Sequence, residues 1–247
     1  MRLRPALDLL AQVDHRNPKL VYDVGTGGGE MARLMAQRWP EATVVGTDTS
    51  VEMLGKAAAT PSRVKWKQHD VQNWGPTDSP DIIYSNAVLH WVPEHDSLLI
   101  RLVDSLAPGG VLAIQMPLSW GEPSHRLMRE VLATAGADGA PLGSVELRSR
   151  MGRCPVGEPA HYHRLLSPVV DTVEIWTTRY LQVLEGPDPV LEWVKGTALR
   201  PVLDELTGAE LESFLERYRR EVRSAYEQGP DGTTLFPFPR LFIVAHK

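Results

Sequence analysis

Between residues 19 and 117 the chain alternates short β-rich runs with helical segments, and this rhythm constrains the fold more than any other feature. The β-rich runs are KLVYDV (19–24), ATVVGTD (42–48), VKWKQHD (64–70), DIIYSN (81–86) and GVLAIQM (110–116). Helical patterns lie between them, near 29–39, 50–59 and 94–106, as crossover helices of a parallel sheet would. WPEAT (39–43) and LAPGG (106–110) punctuate two helix ends with proline or glycine. The expected class is therefore α/β, with a Rossmann-like, mostly parallel sheet.

After Met116 the rhythm breaks. EPSHRLMREVLATA (122–135) reads as a helix, and residues 136–160, rich in Gly and Pro, read as loop or lid. DTVEIWTTRYLQVL (171–184) is a long alternating strand. Two or three helices follow in DPVLEWVKGTALRPVLDEL (188–206) and GAELESFLERYRREVRSAYEQ (208–228), then a last strand, RLFIVAH (240–246). Two late strands separated by a helical excursion predict an antiparallel hairpin on the sheet edge. At 247 residues, one domain of the larger α/β type accommodates the whole chain. The expected organisation is a 14–117 ligand-binding core, with 118–170 and 185–232 as a helical cap over a second ligand pocket.

Composition excludes several function classes. No apolar run approaches the roughly 18 residues of a membrane span, and MRLRPALDLLAQ at the start lacks the long apolar region of a leader. One cysteine, Cys154, cannot form an internal disulfide, which predicts a reducing cytoplasm. A net charge of −5 argues against a nucleic-acid partner. Arg217, Arg219, Arg220 and Arg223 alternate with Glu216 and Glu221 as on a solvated helix face. His161 and His163 stand two apart in an expected turn without further ligands, so no metal is predicted. Cys154 lies near Arg150 and Arg153 but has no identifiable base, so no thiol nucleophile is predicted. Oligomeric state is left open.

The stretch LVYDVGTGGGEMARL (20–34) places Gly25, Gly27 and Gly29 directly between the first strand and a helix. Such a loop lets a ligand approach the backbone and aims helix N–H groups at it, although dinucleotide folds and plain tight turns use similar glycines. Three further polar groups close predicted strands: Asp48 the second, Asp70 the third and Asn86 the fourth. Each carboxylate alone also fits a helix cap, a role that Thr49 or Ser50 could share. Taken together, they point to a nucleoside-like ligand at the carboxyl ends of the strands.

DVGTGGG, GTDTS, HDVQNW and SNAVLHWVPEH, each following a predicted strand, resemble the class I S-adenosylmethionine-dependent methyltransferases. A narrower similarity to their trans-aconitate methyltransferase branch is carried by LAPGGVLAIQMPLSWGEPSHRLMREV, VEIWTTRYLQ, VLEWVKGTALRPV and LFPFPRLFIVA. The resemblance implies S-adenosyl-L-methionine as cofactor, with transfer of its methyl group to a carboxylate of trans-aconitate. It implies Asp23, Gly25, Thr26, Gly27 and Gly29 around the methionine end of the cofactor. Asp48 and Thr49 would serve the ribose, Asp70 and Val71 the adenine, and Asn86 the sulfonium. His90 and Trp91 would stand at the mouth of the acceptor pocket. The family carries a Trp-Asn/Asp-Pro-x-x-Tyr segment ahead of the Arg-x-Arg-Pro that is Arg2–Pro5 here. Its absence gives the expectation of weaker cofactor retention or of a start further upstream.

A carboxylic acid titrates near 4, so the implied nucleophile is ionised at neutral pH and needs no general base. The implied work is alignment and exclusion of water from reactants whose charges cancel. Arginine suits the remaining carboxylates; the candidates are Arg179, Arg200 and Arg240, each with surface ion pairing as the alternative. Trp120, His125 and Tyr162 are candidate pocket walls, with core packing or a helix-start hydrogen bond as alternatives. Another small carboxylic acid as acceptor, or cofactor binding without turnover, stays open. Asp23 and Asp70 speak against a nicotinamide cofactor.

Overall fold

The computed structural model describes residues 3–76 and 78–247, so Arg2 of the Arg2–Pro5 motif lies outside the described residues. The chain forms two compact units: Met1–Pro117 with Pro155–Thr178 and Arg240–Lys247, and Leu118–Cys154 with Arg179–Pro239. Residues 155–170, expected in the cap, belong to the first unit.

The first unit opens with α1 (Arg4–Ala11), fixed where the buried Tyr84 hydroxyl donates to the Ala6 carbonyl at 2.7 Å. The expected alternation follows: β1 (Leu20–Val24), α2 (Glu30–Arg38), β2 (Thr43–Asp48), α3 (Val51–Ala58), β3 (Lys65–Gln68), β4 (Ile82–Asn86), α4 (His95–Ser105) and β5 (Val111–Pro117). Together with β6 (Thr172–Glu185) and β7 (Thr233–His246) the strands form one sheet, ordered β3-β2-β1-β4-β5-β7-β6. The first five are parallel, and β7 runs antiparallel to β5, pairing Val111 with His246 through to Pro117 with Arg240. This is the Rossmann-like sheet that the alternation predicts, with β7 and β6 at its edge. Strand order reverses between β1 and β4, where such sheets bind ligands beyond their carboxyl ends.

Burial explains the order. β4 and β5 lie inside the sheet, with Ile82, Ile83, Val111, Leu112, Ala113, Ile114 and Met116 out of solvent, as strands covered on both faces require. β3 is an edge and carries the exposed Lys65 and Lys67, charges that discourage pairing with another chain.

The second unit contains α5 (Pro123–Thr134), α6 (Val145–Gly152), α8 (Pro189–Lys195), α9 (Arg200–Glu205) and α10 (Gly208–Ala225). Its core joins Met128, Val131 and Leu132 to Phe214, Tyr218 and Phe236. Among the described residues no helix is long and apolar enough to cross a membrane.

Three expectations change. The 136–160 stretch is no continuous loop: Ser144 caps α6 by accepting the Leu147 N–H at 3.0 Å. That helix buries only Leu147, so it shows no apolar stripe and its Gly/Pro flanks dominate the composition. His161 and His163 lie not in a turn but on α7 (Pro159–Leu166), where Pro159 starts the helix and Tyr162 and Leu166, four apart, are its buried face. The last strand begins at Thr233 rather than Arg240, taking in Pro237 and Pro239.

Candidate active site

The β1–α2 turn is built by its side chains as well as by its glycines. Gly25, Gly27 and Gly29 have φ of +70°, +54° and +79°, a region that side chains other than glycine enter at a penalty. A Cβ on Gly25 would lie 2.2 Å from Val88 Cγ2, and one on Gly29 2.4 Å from Trp66 Cη2, whereas Gly27 has only Met53 Cε near, at 3.6 Å. A Cβ on Gly46 of β2 would lie 2.6 Å from the same Trp66 ring. Gly25 and Gly29 are thus set by packing inside the protein, and Gly27 is the open glycine of the three.

Asp23, at the end of β1, is buried and accepts the Thr26 hydroxyl at 2.6 Å. Burial lifts its carboxyl to about 6, against the opposing pull of the Thr26 hydroxyl and the Ala32 N–H; the Asp48 and Glu30 carboxylates push it further up. Thr26 in turn donates its N–H to the Thr47 carbonyl at 2.8 Å, tying the turn to β2.

Asp48 divides its carboxylate between two backbone donors, Gly27 N–H to Oδ2 and Ser50 N–H to Oδ1, each at 2.9 Å. Ser50 caps α3 through Met53 N–H at 3.2 Å, so the cap is Ser50 and not the exposed Thr49. Asp70 caps the short helical turn Val71–Asn73 by accepting Gln72 N–H at 2.9 Å, and Val71 is buried beside it.

At the carboxyl end of β4, Asn86 pairs in register with Gln115 of β5. Asn86 Oδ1 is buried and has no hydrogen-bond donor among the described residues. Ala87 follows at φ +58°, held by donating its N–H to the Gln115 carbonyl at 2.9 Å; such strain in a non-glycine residue gathers at functional sites. Arg240, half-buried on β7, donates through Nη1 to Gln115 Oε1 at 3.3 Å. The sequence marks Gln115 only as the one amide in the apolar run VLAIQMP. His90 and Trp91 sit in a helical turn after β4, with ring centroids 4.7 Å apart and Trp91 64% exposed.

Other candidates are committed elsewhere. Tyr162 is fully buried where α7 packs on α4, and its hydroxyl meets His95 Nδ1 at 2.8 Å and the Gly157 N–H at 2.9 Å, so it is a packing residue rather than a pocket wall. In the second unit, Arg179 pairs with Glu122 at 2.9 Å, and Arg200 is a surface residue 3.8 Å from Asp204 on the same helix. Neither of these two is poised as a carboxylate anchor. Trp120 lies under the Arg129 guanidinium at 3.7 Å, and its Nε1 has no acceptor among the described residues. His125 Nδ1 meets the Ser124 hydroxyl at 3.1 Å at the start of α5; burial, then the charge of Arg129, lowers the imidazole to about 4 and keeps it neutral near pH 7.

Residues 2–164 match the family model described as "Methyltransferase domain". A trans-aconitate 2-methyltransferase of Pseudomonas paraeruginosa is 45% identical over 246 residues, 99% of this chain and 89% of its own. The chain belongs to the trans-aconitate 2-methyltransferase family. A member from Methylobacterium radiotolerans is 44% identical over 246 residues, covering 100% of this chain and 94% of its own. Among solved structures, the phosphoethanolamine N-methyltransferase 2 of Haemonchus contortus, in complex with phosphomonomethylethanolamine and S-adenosylhomocysteine, shares the fold. Its TM-score is 0.56 at 17% identity, over 99% of this chain and 52% of that one.

The cofactor expected of a methyltransferase of this family fits the residues present. The positive-φ turn leaves Gly27 uncovered, and the buried Asn86 Oδ1 offers an unused acceptor to a cationic ligand. Each Asp48 oxygen, having one backbone donor, retains a lone pair for a ligand hydroxyl.

Proposed function

We propose that the protein transfers a methyl group from S-adenosylmethionine to a carboxylate of trans-aconitate, forming a monomethyl ester. Near-full-length identity of 45% with a relative named for that reaction carries the acceptor assignment. The whole chain is read as one methyltransferase domain whose 14–117 core serves the cofactor. The single cysteine supports a cytoplasmic setting, and the net charge of −5 supports a small-molecule partner rather than a nucleic acid.

In this reading the cofactor supplies an electrophilic methyl group on a sulfonium, and the chain's own residues position the two reactants. Asp23, Thr26 and Gly27 hold the amino-acid end, Asp48 the ribose hydroxyls, and Asp70 with Val71 the adenine. Asn86 Oδ1 accepts from, or lies against, the cationic part of the ligand. No residue moves a proton, because the acceptor is already a carboxylate at neutral pH. His90 and Trp91 are therefore read as residues that shape the entrance and limit water. Arg240 is read as the anchor, because its guanidinium donates to Gln115 at the carboxyl end of β5, the same end of the sheet as Asn86.

The test is to incubate the purified chain with labelled S-adenosylmethionine and a panel of di- and tricarboxylic acids, scoring base-labile methyl ester. Ester on trans-aconitate is expected. Ester on another acid alone would transfer the assignment to that acid, and cofactor binding with no ester on any acid would leave a non-catalytic binder.

A further inference from the structure

Gln115 is the one polar side chain in β5 and is wholly excluded from solvent. Its Oε1 accepts from Arg240 Nη1, and because a guanidinium carries donors only, the amide must keep its oxygen on the Arg240 side. The other end of the amide, Nε2, carries two N–H donors and has no acceptor among the described residues. Buried donors left without an acceptor are rare in folded proteins. Asn86, the register partner of Gln115 on β4, has the opposite deficit, a buried Oδ1 without a donor. Residues paired across neighbouring strands share a sheet face, so an unused acceptor and an unused donor stand side by side at the carboxyl ends of β4 and β5. A cationic methyl donor and an anionic methyl acceptor would satisfy them respectively.

We infer that Gln115 binds the acceptor: its Nε2 donates to a carboxylate of the acid beside the Arg240 guanidinium, while Asn86 Oδ1 is kept for the cationic cofactor. The two donors differ in reach and charge, so together they select which carboxylate is held and which is left for methylation. The inference rests on the carboxyl methyltransferase reading above. Its competitor is an internal bond from Gln115 Nε2 to Asn86 Oδ1, which would satisfy both atoms without any ligand.

The experiment compares the wild-type chain with Gln115→Leu and Gln115→Glu. Calorimetry measures trans-aconitate binding in the presence of S-adenosylhomocysteine, and S-adenosylmethionine binding without acid; initial rates give the acceptor KM. Gln115→Leu should weaken acid binding and raise the acceptor KM about 10- to 100-fold, the range for losing a hydrogen bond to a charged group. Gln115→Glu should weaken both further by setting a second carboxylate beside the acid, while its pairing with Arg240 keeps the melting temperature at or above wild type. S-adenosylmethionine affinity should stay within about twofold in both variants. Unchanged acid binding in Gln115→Leu overturns the inference. So does weaker S-adenosylmethionine binding with a lowered melting temperature and no effect on the acid, the pattern of an internal bond to Asn86. Wild-type turnover tests the reading separately: an acid that binds without being methylated sinks the reading, and the variants still decide the inference. An acid that fails to bind the wild type overturns both.

Discussion

Asp48 Oδ2 accepts the Gly27 N–H at 2.9 Å, joining the end of β2 to the one glycine of the β1–α2 turn that lies open. The same carboxylate receives Ser50 N–H through Oδ1, so one side chain sets both the turn and the start of α3. Asp48→Asn retains an acceptor oxygen but turns an N–H2 toward one of the two backbone donors. The expected result is a S-adenosylmethionine Kd raised about 10- to 100-fold by calorimetry, with a smaller loss of stability.

Gly25→Ala and Gly27→Ala should differ although both glycines have positive φ. The first drives a Cβ to 2.2 Å from Val88 Cγ2, whereas the second meets nothing nearer than Met53 Cε at 3.6 Å. Urea denaturation should show a loss of about 3 kcal/mol or more for Gly25→Ala and about 1 to 2 kcal/mol for Gly27→Ala. Adding Val88→Ala should restore part of the first loss and none of the second; equal losses for the two alanines would refute the packing account.

Asp23 gives stability a pH dependence of unusual sign for a carboxylate. Its folded value of about 6 exceeds the ordinary 3.8, so between these values the native state holds a proton that the unfolded chain has released. Stability from this group is full below the ordinary value and is lost as pH rises toward 6, by about 3 kcal/mol at most. Because His125 opposes it over the same interval, the decline is read as the difference in unfolding free energy between wild type and Asp23→Asn from pH 4 to 7, and a difference that does not change with pH would refute it.

His125 acts in the opposite direction. Its folded value of about 4 lies below the ordinary 6.5, so in this interval the unfolded chain binds the extra proton. Its contribution is present above 6.5 and is lost as pH falls toward 4. A His125→Gln variant, followed in the same pH series, should lose less stability on acidification than wild type, and an equal loss would show that the imidazole is protonated when folded.

Among the arginines, Arg240→Ala should raise the acceptor KM or lower kcat about tenfold or more with S-adenosylmethionine affinity unchanged. Arg200, whose side chain is 71% exposed, should be replaceable by Ala without kinetic effect. Steady-state kinetics with a separate cofactor titration decide both, and indifference of the enzyme to Arg240→Ala would remove that residue from the acceptor site.

Much of this architecture was legible because burial leaves period and punctuation in the sequence. β1, β2, β3 and β4 lie within the predicted runs, and β5 exceeds its run by Pro117 alone, as the apolar residues and flanking turns demand. α6 was hidden because it buries Leu147 alone, and α7 because eight residues starting at a proline resemble a turn. The polar strand ends Asp48, Asp70 and Asn86 were readable one by one. The Gln115–Arg240 pair was not, since its members are 125 residues apart and only the antiparallel pairing of β7 with β5 brings them together. Tyr162 shows the converse, a residue whose type suits a binding wall but whose hydroxyl is engaged inside the fold.

Trp66, on the edge strand β3, fills the space that a side chain at either Gly29 or Gly46 would need. The three positions are therefore epistatic: neither glycine can drift while the tryptophan remains, and a smaller residue at 66 would remove the tightest contact at both, leaving Gly29 held by its positive φ and Gly46 by the neighbouring Thr26 hydroxyl. A glycine signature ordinarily credited to a ligand is here, at its third position, the joint imprint of a left-handed turn and an indole.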